Sequence, residues 1–337
     1  MTSAKTGPQR SAVVSMMMAF GLLVAISWPA RAASPLLLVV SKGDNALVVV
    51  DPDSGKILGK ATAGEGPHEV EASADGKRAF VSNYGAKAPG SSLSVIDLAT
   101  MQEVHRVEIG PGAMPHGLLM AGGKLYFTAQ GFKLIGRYDP PSEKIDWLMG
   151  TGQNRTHMVV ATRDVKKLFT ANIGSDSITA IERGGEPPDW IVTQIPVGKS
   201  PEGLDLSPDG TELWTATWGD GGVSIIDVTT NKVTQTLSLG GKRFNRLKFT
   251  PDGKRVLISD LQADQNFVLD AVTRKEIKRI KVGGPSAGIL MSPDGSRAYV
   301  AVTPDNSLAV IDLKTLEVTG RILGIVGADG MTWAARE

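Results

Sequence analysis

The chain has 337 residues, with 36 basic and 35 acidic side chains and four histidines. This near-neutral balance gives no electrostatic reason to expect binding to nucleic acid or to an anionic membrane. The chain contains no cysteine, which excludes disulfides, covalently attached c-type haem, iron–sulfur clusters, thiolate metal sites and thiol nucleophiles.

The first 32 residues have the pattern of a secretory signal peptide. Lys5 and Arg10 are the only charges before an apolar run over residues 12–28, and the small residues Ala30 and Ala32 follow it. A charged segment, an apolar segment and a small-residue site in this order predict cleavage. The alternative is an uncleaved membrane anchor, since the run approaches the length that spans a bilayer. We expect cleavage after Ala32, no stable membrane insertion and a soluble periplasmic or secreted protein.

A short motif recurs along the rest of the chain. Four copies end in Asp-Gly, and two weaker copies stand at matching intervals. The copies are SADG at 73–76, MAGG at 120–123, ATRD at 161–164, SPDG at 207–210, TPDG at 250–253 and SPDG at 292–295. Their starts lie 41 to 47 residues apart, which is the repeat length of a four-stranded propeller blade.

Each unit predicts four antiparallel strands. An apolar strand precedes the Asp-Gly turn and a second one follows it, as in RAFVSN at 78–83; a third ends in an acid, and a fourth runs to a Gly or Pro. Asp-Gly marks a tight hairpin, and β-branched and aromatic residues between turn residues are typical of antiparallel strands. The third-strand acids are predicted to bind turn amides; they are Asp51, Asp97, Asp139, Asp227, Asp270 and Asp312.

The two ends of the chain complete a seventh unit. Residues 327–337 match the opening of a unit and stop after one strand, whereas residues 35–65 supply three strands without a first one. Joined in one blade, they close the ring and leave no free sheet edge. We therefore predict an all-β fold, a seven-bladed β-propeller of four-stranded antiparallel blades, formed by one domain over residues 33–337.

The second strands also resemble a known repeat. RAFVSN, LFTAN and RAYVAV, flanked by SPDG and VIDL, are similar to the name-giving tetrapeptide of the YVTN-repeat family. The resemblance covers nearly all of residues 33–337 and implies a WD40-like seven-bladed β-propeller of a type often exported in bacteria. It also implies a superfamily that contains lactonases and lyases, so it does not by itself assign a function.

One position in the repeat carries three of the four histidines. Aligned at the entry to the first strand, the seven units give His68, His116, His157, Glu202, Asn245, Ala287 and Asp329. First strands line the central channel of a propeller, so we expect these residues, the ring positions, to converge at its mouth. The ends of the second strands should open onto the same face and add Asn83, Tyr84, Gln130, Asn172, Trp218 and Asp260. Arg155 and Arg243 lie two residues before the ring positions of their units.

The histidines have two interpretations. Each imidazole can hydrogen-bond a neighbouring blade and lock the ring, as single buried histidines commonly do. Histidine fills only three neighbouring units, however, and ionisable groups gathered in a concave mouth favour a binding site. Three neutral imidazoles, those of His68, His116 and His157, beside a carboxylate suit Zn²⁺, Cu²⁺ or Ni²⁺. Local metal-binding, phosphate-binding and GxSxG signatures are absent from the sequence.

Three functions are compatible with such a mouth. The first is an exported, monomeric binding or accessory module for a small ligand, a metal or a partner protein. The second follows from the resemblance to lactonases: a hydrolase or lyase in which His68, His116 or His157 is a general base or metal ligand, and Arg155 binds a substrate carboxylate or phosphate. The third is a redox partner that holds or delivers a metal.

Overall fold

The computed structural model describes residues 1–7, 34–184 and 189–336. It divides after Ala32 into two units, and in the first of them the described residues form no helix or strand. The apolar run of the predicted signal peptide and the cleavage site after Ala32 lie outside the described residues. Within the described parts of the chain, no helix is long and apolar enough to cross a membrane.

The second unit is built from β-strands, of which 28 are described. The first fourteen are β1 (Leu36–Ser41), β2 (Ala46–Val50), β3 (Ile57–Thr62), β4 (Pro67–Ala72), β5 (Arg78–Asn83), β6 (Ser92–Asp97), β7 (Gln102–Glu108), β8 (Pro115–Ala121), β9 (Lys124–Ala129), β10 (Leu134–Asp139), β11 (Lys144–Gly150), β12 (Thr156–Ala161), β13 (Lys167–Asn172) and β14 (Ser177–Arg183). The other fourteen are β15 (Trp190–Pro196), β16 (Pro201–Leu206), β17 (Glu212–Thr217), β18 (Gly222–Asp227), β19 (Lys232–Ser238), β20 (Phe244–Phe249), β21 (Arg255–Asp260), β22 (Gln265–Asp270), β23 (Glu276–Lys281), β24 (Ile289–Met291), β25 (Arg297–Val302), β26 (Ser307–Asp312), β27 (Glu317–Leu323) and β28 (Ala328–Ala334). Short 3₁₀ turns follow β9, β13 and β25, at Gln130–Phe132, Ile173–Ser175 and Thr303–Asp305.

These strands form seven four-stranded antiparallel sheets, one for each predicted repeat. Blades 1 to 6 take four consecutive strands each, beginning with β4 and ending with β27. Blade 7 has the order β28-β1-β2-β3, so strands from the two ends of the chain meet in it. There β28 pairs with β1, and Leu36 lies opposite Ala334. The predicted seven-bladed propeller and its closure are confirmed.

The place of a strand within its blade determines its sequence pattern. Second strands lie between neighbours on both sides, so β5 is buried at nearly every position, whereas the fourth strand β11 alternates between exposed and half-buried residues. Continuous apolar runs suit the first environment, and alternation suits the second. Adjacent blades pack through the inner strands: Leu257 and Val268 of blade 5 share a cluster with Val300 and Ile311 of blade 6. Burial of each such side chain stabilises the fold by about 1.5–3 kcal/mol.

The Asp-Gly motifs form the turns between first and second strands. In blade 4, Asp209 Oδ1 accepts a hydrogen bond from the Thr211 amide at 3.0 Å, and Gly210 has a φ of 75°, which glycine adopts without strain. In blade 3, the equivalent turn begins at Thr162, whose carbonyl accepts a hydrogen bond from Val165 N at 2.8 Å. Val165 takes the left-handed position, with φ of 56°. The ATRD match was therefore wrong by one residue, because valine replaces the expected glycine.

The acids at the ends of the third strands have the structural role predicted for them. Asp97 Oδ1 accepts hydrogen bonds from the amide and the hydroxyl of Thr100, at 2.8 and 2.9 Å. Asp227 binds Thr230 in the same way, at 2.7 and 2.8 Å. The turn amides hold the pKa of both carboxyls below its usual value. These acids fix the turns that lead to the fourth strands.

Candidate ligand-binding site

The seven ring positions meet around one cavity of the channel. Its volume is about 200 Å³, and we call it the upper cavity. In six blades the ring position is the second residue of the first strand, and in blade 6 it lies two residues before β24. The cavity is lined by all seven: His68, His116, His157, Glu202, Asn245, Ala287 and Asp329. The structure thus brings together every residue that the repeat register aligned.

The residue after the ring position explains how closely the first strands approach one another. In four blades it is a glycine: Gly117, Gly203, Gly288 and Gly330. A Cβ on Gly117 would lie 2.5 Å from the His157 carbonyl oxygen, and one on Gly330 would lie 2.4 Å from that of His68. Only glycine allows neighbouring backbones to come this close. The ring positions are therefore held side by side around the axis.

The loop before each first strand is tied to the loop after the second strand. Two residues before the ring position, φ lies between 50° and 65° in five blades, at Gly66, Met114, Arg155, Ser200 and Gly327. The Arg155 carbonyl accepts a hydrogen bond from Ile173 N at 3.2 Å, and the Ser200 carbonyl accepts one from Trp218 N at 3.1 Å. Such bonds maintain a backbone conformation that residues other than glycine seldom adopt. They also place both loops on one face, as predicted.

Four further predicted residues join the ring positions in the wall of the upper cavity. They are Tyr84, Arg155, Trp218 and Arg243. Two apolar side chains complete this wall, those of Ile173 and Leu261. In blades 1, 3, 4 and 5 the residue that lines the cavity is therefore the one that directly follows the second strand.

Four predicted residues do not line the cavity: Gln130, which is buried and bonds His157, and three others. Asn83, Asn172 and Asp260 are the last residues of their second strands, one position earlier than the mouth-facing residues, and they are buried. Asn83 Oδ1 accepts a hydrogen bond from Gly64 N at 2.9 Å, and Asn172 Nδ2 donates to Thr179 Oγ1 at 2.8 Å. Asp260 accepts backbone N–H bonds at 2.7 and 3.1 Å. Because successive strand residues face opposite sides, these three stabilise the blades instead of opening onto the mouth.

His68, His116 and His157 form a continuous row of rings. The ring centroids of His68 and His116 lie 5.0 Å apart, and those of His116 and His157 lie 3.7 Å apart. Tyr84 packs against this row, 4.6 Å from His68 and 5.5 Å from His116. Burial lowers the pKa of His68 to about 4 and lowers the pKa of the other two imidazoles as well. All three rings are therefore neutral near pH 7.

Hydrogen bonds fix the tautomers of two of these rings. His68 Nδ1 donates to a backbone carbonyl two residues earlier at 2.9 Å, which leaves Nε2 as an acceptor. The Tyr84 hydroxyl donates to Gln130 Oε1 at 3.1 Å, and the Gln130 amide donates to His157 Nδ1. His157 therefore carries its proton on Nε2, which lies 3.4 Å from Glu202 Oε1. Gln130, predicted at the mouth, orients His157 from behind.

Two charged residues that the register did not single out lie beside the ring positions. Arg246 follows Asn245, and Glu69 follows His68, at the position that is glycine in four other blades. Both are buried, and Arg246 donates a hydrogen bond from blade 5 to Glu69 in blade 1. Arg246 Nη1 also lies 3.4 Å from Glu202 Oε1. A charged residue that interrupts a glycine pattern is the signal that could have identified them.

Arg246 and Lys42 keep two acids of the cavity ionised. Burial acts to raise the pKa of Glu202, but the approach of His157 and the charge of Arg246 bring it below its usual value. Burial also opposes the ionisation of Asp329, whose pKa is nevertheless held low by Lys42 and Arg246. Lys42 Nζ lies 2.9 Å from Asp329 Oδ2. Lys42 belongs to the loop after β1, where the repeat alignment gave no indication of it.

Arg246 also lines a second cavity of the channel. This lower cavity has a volume of about 140 Å³ and a mostly apolar lining, with Glu69, Glu71 and Lys248 as further charged residues. Burial raises the pKa of Glu71 to about 8 against the opposing charge of Lys248. The channel therefore has two compartments that meet at Arg246.

The upper cavity collects buried polar atoms that have no partner. Among the described residues, eight buried side-chain nitrogen or oxygen atoms make no hydrogen bond within the protein. Five of them belong to the upper cavity: His116 Nδ1, His157 Nε2, Glu202 Oε2, Arg243 Nε and Asn245 Oδ1. Buried polar groups are nearly always hydrogen-bonded, and an unmade bond costs about 1–3 kcal/mol. These atoms are therefore suited to bind a polar molecule.

Two arginines flank an indole ring at the rim of the upper cavity. Arg243 Cζ lies 3.9 Å from the centroid of the Trp218 ring, and Arg155 Cζ lies 5.8 Å from it. The acids of the cavity pair elsewhere, Asp329 with Lys42 and Glu202 with Arg246. Within the part of the chain that the structure describes, neither rim guanidinium forms a salt bridge. Both are therefore available to an anion.

The geometry gives no support to the predicted metal site. In residues 34–184 and 189–336, no three His, Asp or Glu side chains are arranged to hold a metal ion. A zinc site needs nitrogens about 2.0–2.1 Å from one ion. The rings of His116 and His157 instead stack at an angle of 34°, and Nδ1 of His68 is bonded to backbone.

Comparisons with known proteins agree with the propeller fold. No protein-family model matches the chain. The chain is 30% identical over 165 residues to the uncharacterized protein YncE of Salmonella typhimurium, which is 48% of this chain and 46% of that protein. It is 32% identical over 116 residues to the seven-bladed beta-propeller protein Rv1057 of Mycobacterium tuberculosis, 33% of this chain and 29% of that protein. The matches thus cover less than half the length of these curated relatives.

A solved structure supports the same conclusion. The putative 6-phosphogluconolactonase from Bacteroides uniformis superposes with a TM-score of 0.71 at 16% identity. The superposition covers 90% of this chain and 100% of that one. At this identity the likeness shows a shared fold, and the function has to be argued from the cavity itself.

Proposed function

We propose that the chain is a ligand-binding propeller that takes a small polar molecule in its upper cavity. The observation that carries this proposal is the convergence of five unpartnered, buried polar atoms on one cavity. A bound ligand completes these hydrogen bonds and removes the cost of leaving them unmade. The volume of about 200 Å³ is below the ~300–1,000 Å³ of typical small-molecule pockets, so the ligand is small.

A lactonase-like hydrolase or lyase is the second candidate, and His116 supports it. The Nδ1 atom of His116 has no partner and could accept a proton from a substrate or a water. A general base works best when its pKa lies near the operating pH, whereas burial lowers the pKa of His116 well below its usual value. Binding is therefore the function that the cavity supports better.

The test is a panel of small polar metabolites and lactones added to the purified protein. Thermal unfolding and calorimetry detect binding, and product analysis detects lactone turnover. We expect at least one compound to raise the melting temperature of the wild type without being converted. His116→Ala should abolish this rise, because it removes a cavity wall with an unpartnered atom. His105→Ala is the matched control, since His105 lies on β7 and does not line the cavity.

Each result decides between the alternatives. If no compound stabilises the wild type, or if stabilisation survives His116→Ala, the binding proposal is wrong. If lactones are hydrolysed by the wild type and the His105→Ala variant but not by His116→Ala, the hydrolase is the function. Early unfolding of His116→Ala without any ligand effect on the wild type would mean that the histidines only lock the ring.

We further propose that the protein acts outside the cytoplasm. The charged segment, the apolar run of residues 12–28 and the small residues Ala30 and Ala32 support this. Expressed in a bacterial host, the protein should be recovered from the periplasm or medium with Ala33 as its first residue. Mass spectrometry of that fraction measures the N-terminus, and an intact Met1 in it would contradict the proposal.

A further inference from the structure

We infer that the ligand of the upper cavity is a small acid whose opposite end carries hydroxyl or ammonium groups. This inference rests on the proposed function and names the chemical class of its ligand. It follows from the way in which free charges and free hydrogen-bonding atoms are distributed between the rim and the interior of the cavity.

The rim provides two cationic groups for the acid. Arg155 is exposed and Arg243 is half-buried, both flank Trp218, and Nε of Arg243 has no partner. Guanidinium groups bind carboxylate and phosphate through paired N–H donors. Cation–π attraction to the indole face of Trp218 holds both guanidinium groups at the rim. An anionic end of the ligand therefore binds at the rim.

The interior provides two adjacent acceptors. Asn245 Nδ2 donates to Glu202 Oε1, so the amide is oriented with its Oδ1 atom free. Asn245 Oδ1 and Glu202 Oε2 both lack a partner, and the two residues are only 3% and 6% exposed. Acceptors of this kind, one of them an ionised carboxylate, are satisfied only by O–H or N–H donors of the ligand. The inner end of the ligand therefore carries hydroxyl or ammonium groups.

The cations of the interior leave no place there for the acid group. Arg246 contacts Glu69 and Glu202, and Lys42 pairs with Asp329. Because the histidines are neutral, no unpaired positive charge remains in the described interior. An acid placed beside Glu202 would be repelled by its charge. The ligand therefore lies along the channel axis, with the acid outward.

The test uses six-carbon compounds that differ in their end groups. Gluconate has an acid and hydroxyls, 6-aminohexanoate has an acid and an ammonium, hexanoate has only the acid, and sorbitol has only hydroxyls. Dissociation constants are measured by calorimetry with the purified protein. We expect gluconate or 6-aminohexanoate to bind at least about tenfold more tightly than hexanoate and sorbitol. Hexanoate lacks the inner hydrogen-bond donors and sorbitol lacks the acid, so each of these two compounds forms hydrogen bonds at only one end of the cavity. The tighter of the two identifies the inner group.

Arginine variants separate the rim from the interior. The double variant Arg155→Gln, Arg243→Gln should weaken the binding of the two-ended acids at least about tenfold. Arg183→Gln is the matched control, because Arg183 lies over a tryptophan as well, with Cζ 5.6 Å from the Trp190 ring, but does not line the cavity. It should leave all dissociation constants unchanged, and unfolding measurements verify that both variants are folded.

The outcomes distinguish this inference from the proposed function. The inference about the ligand class is overturned by any one of three results. Sorbitol binds as tightly as gluconate, the double variant binds the acids as tightly as the wild type, or none of the four compounds binds. Should another compound from the metabolite panel bind and lose its effect in His116→Ala, the binding function stands and only the ligand class is wrong.

Discussion

The upper and lower cavities are lined by the same first strands, yet their chemistry differs. The upper cavity has five unpartnered polar atoms, and among the described residues the lower cavity has none. The lining of the lower cavity comes from positions one to three residues after the ring positions and is mostly leucine, valine, isoleucine and methionine. The position of a residue along its first strand, rather than the blade it belongs to, therefore decides whether it lines the polar upper cavity or the mostly apolar lower cavity.

This difference reflects where along the strands neighbouring blades pack against one another. Packing between blades uses side chains further along the strands, as in the Leu257 and Val268 cluster. The ring positions contribute less to that packing, so their side chains can vary from imidazole to carboxylate to methyl between blades. Glycines next to them maintain the close approach of the backbones. Variation at one level is thereby compatible with regularity at the next.

Loss of Arg246 is expected to have the largest effect, because this side chain is the boundary between the two cavities. Arg246→Met keeps an unbranched side chain but leaves Glu69 and Glu202 buried without their cation. Breaking a buried ion pair in this way costs about 3–5 kcal/mol. The free energy of unfolding, measured in urea at pH 7, should fall by this amount.

Two further variants make the Arg246 result interpretable. Arg279→Met breaks a partly exposed pair with Glu276 on β23, where the N–O distance is 2.8 Å, and should cost no more than about 1 kcal/mol. Adding Glu69→Gln to Arg246→Met removes one uncompensated carboxylate and should restore part of the stability. Equal losses in the two methionine variants would contradict the role assigned to Arg246.

The residues that line the upper cavity at the ring positions could be predicted from the sequence. Equivalent residues of a radial repeat lie at the same height along the propeller axis, so an alignment of the repeats identifies them. All seven ring positions converge for this reason, and the closure of blade 7 follows from the same alignment. The prediction failed for Asn83, Asn172 and Asp260 because an error of one residue along a strand reverses the side that a residue faces. Tyr84 and Trp218, one position later, were placed correctly.

The interactions between blades could not be predicted in the same way. The contact of Arg246 with Glu69 joins residues 177 positions apart, and the repeat fixes their levels but not the direction of their side chains. The predicted metal site shows the same limit. Residue types suggested three ligands, whereas the angle between the rings of His116 and His157 depends on packing between blades. Pairing and burial, which determine the pKa values, therefore required the structure.

The two cavities are expected to respond to pH in opposite directions. Burial lowers the pKa of His68 from 6.5 to about 4, so the unfolded chain binds this proton more readily and stability falls as the pH drops through that range. Burial raises the pKa of Glu71 from 4.5 to about 8, so the folded protein keeps a proton that the unfolded chain releases. The free energy of unfolding that protonated Glu71 contributes is therefore lost as the pH rises from about 4.5 to about 8. Above pH 6.5 the effect of Glu71 is no longer opposed by that of His68.

Glu71→Gln isolates the contribution of the lower cavity. Glutamine is neutral at every pH and close in shape to the protonated acid, so this variant should keep its stability between pH 6.5 and 8. The wild type should lose about 1–2 kcal/mol over the same interval, because one pKa unit corresponds to about 1.4 kcal/mol. Urea unfolding at the two pH values measures this difference. Glu317→Gln is the control, since the side chain of Glu317 is 70% exposed, and it should follow the wild type.

The change of stability with pH in the wild type and in Glu71→Gln tests whether the lower cavity is closed to solvent. The high pKa of Glu71 has burial as its main cause, and the charge of Lys248 acts against it while that of Glu69 adds to it. If water filled this compartment freely, the carboxyl would ionise near its ordinary pKa in the folded protein, and Glu71→Gln would have the same slope as the wild type. A flat profile for Glu71→Gln beside a declining wild type would instead mean that the lower cavity excludes solvent and keeps its carboxyl protonated.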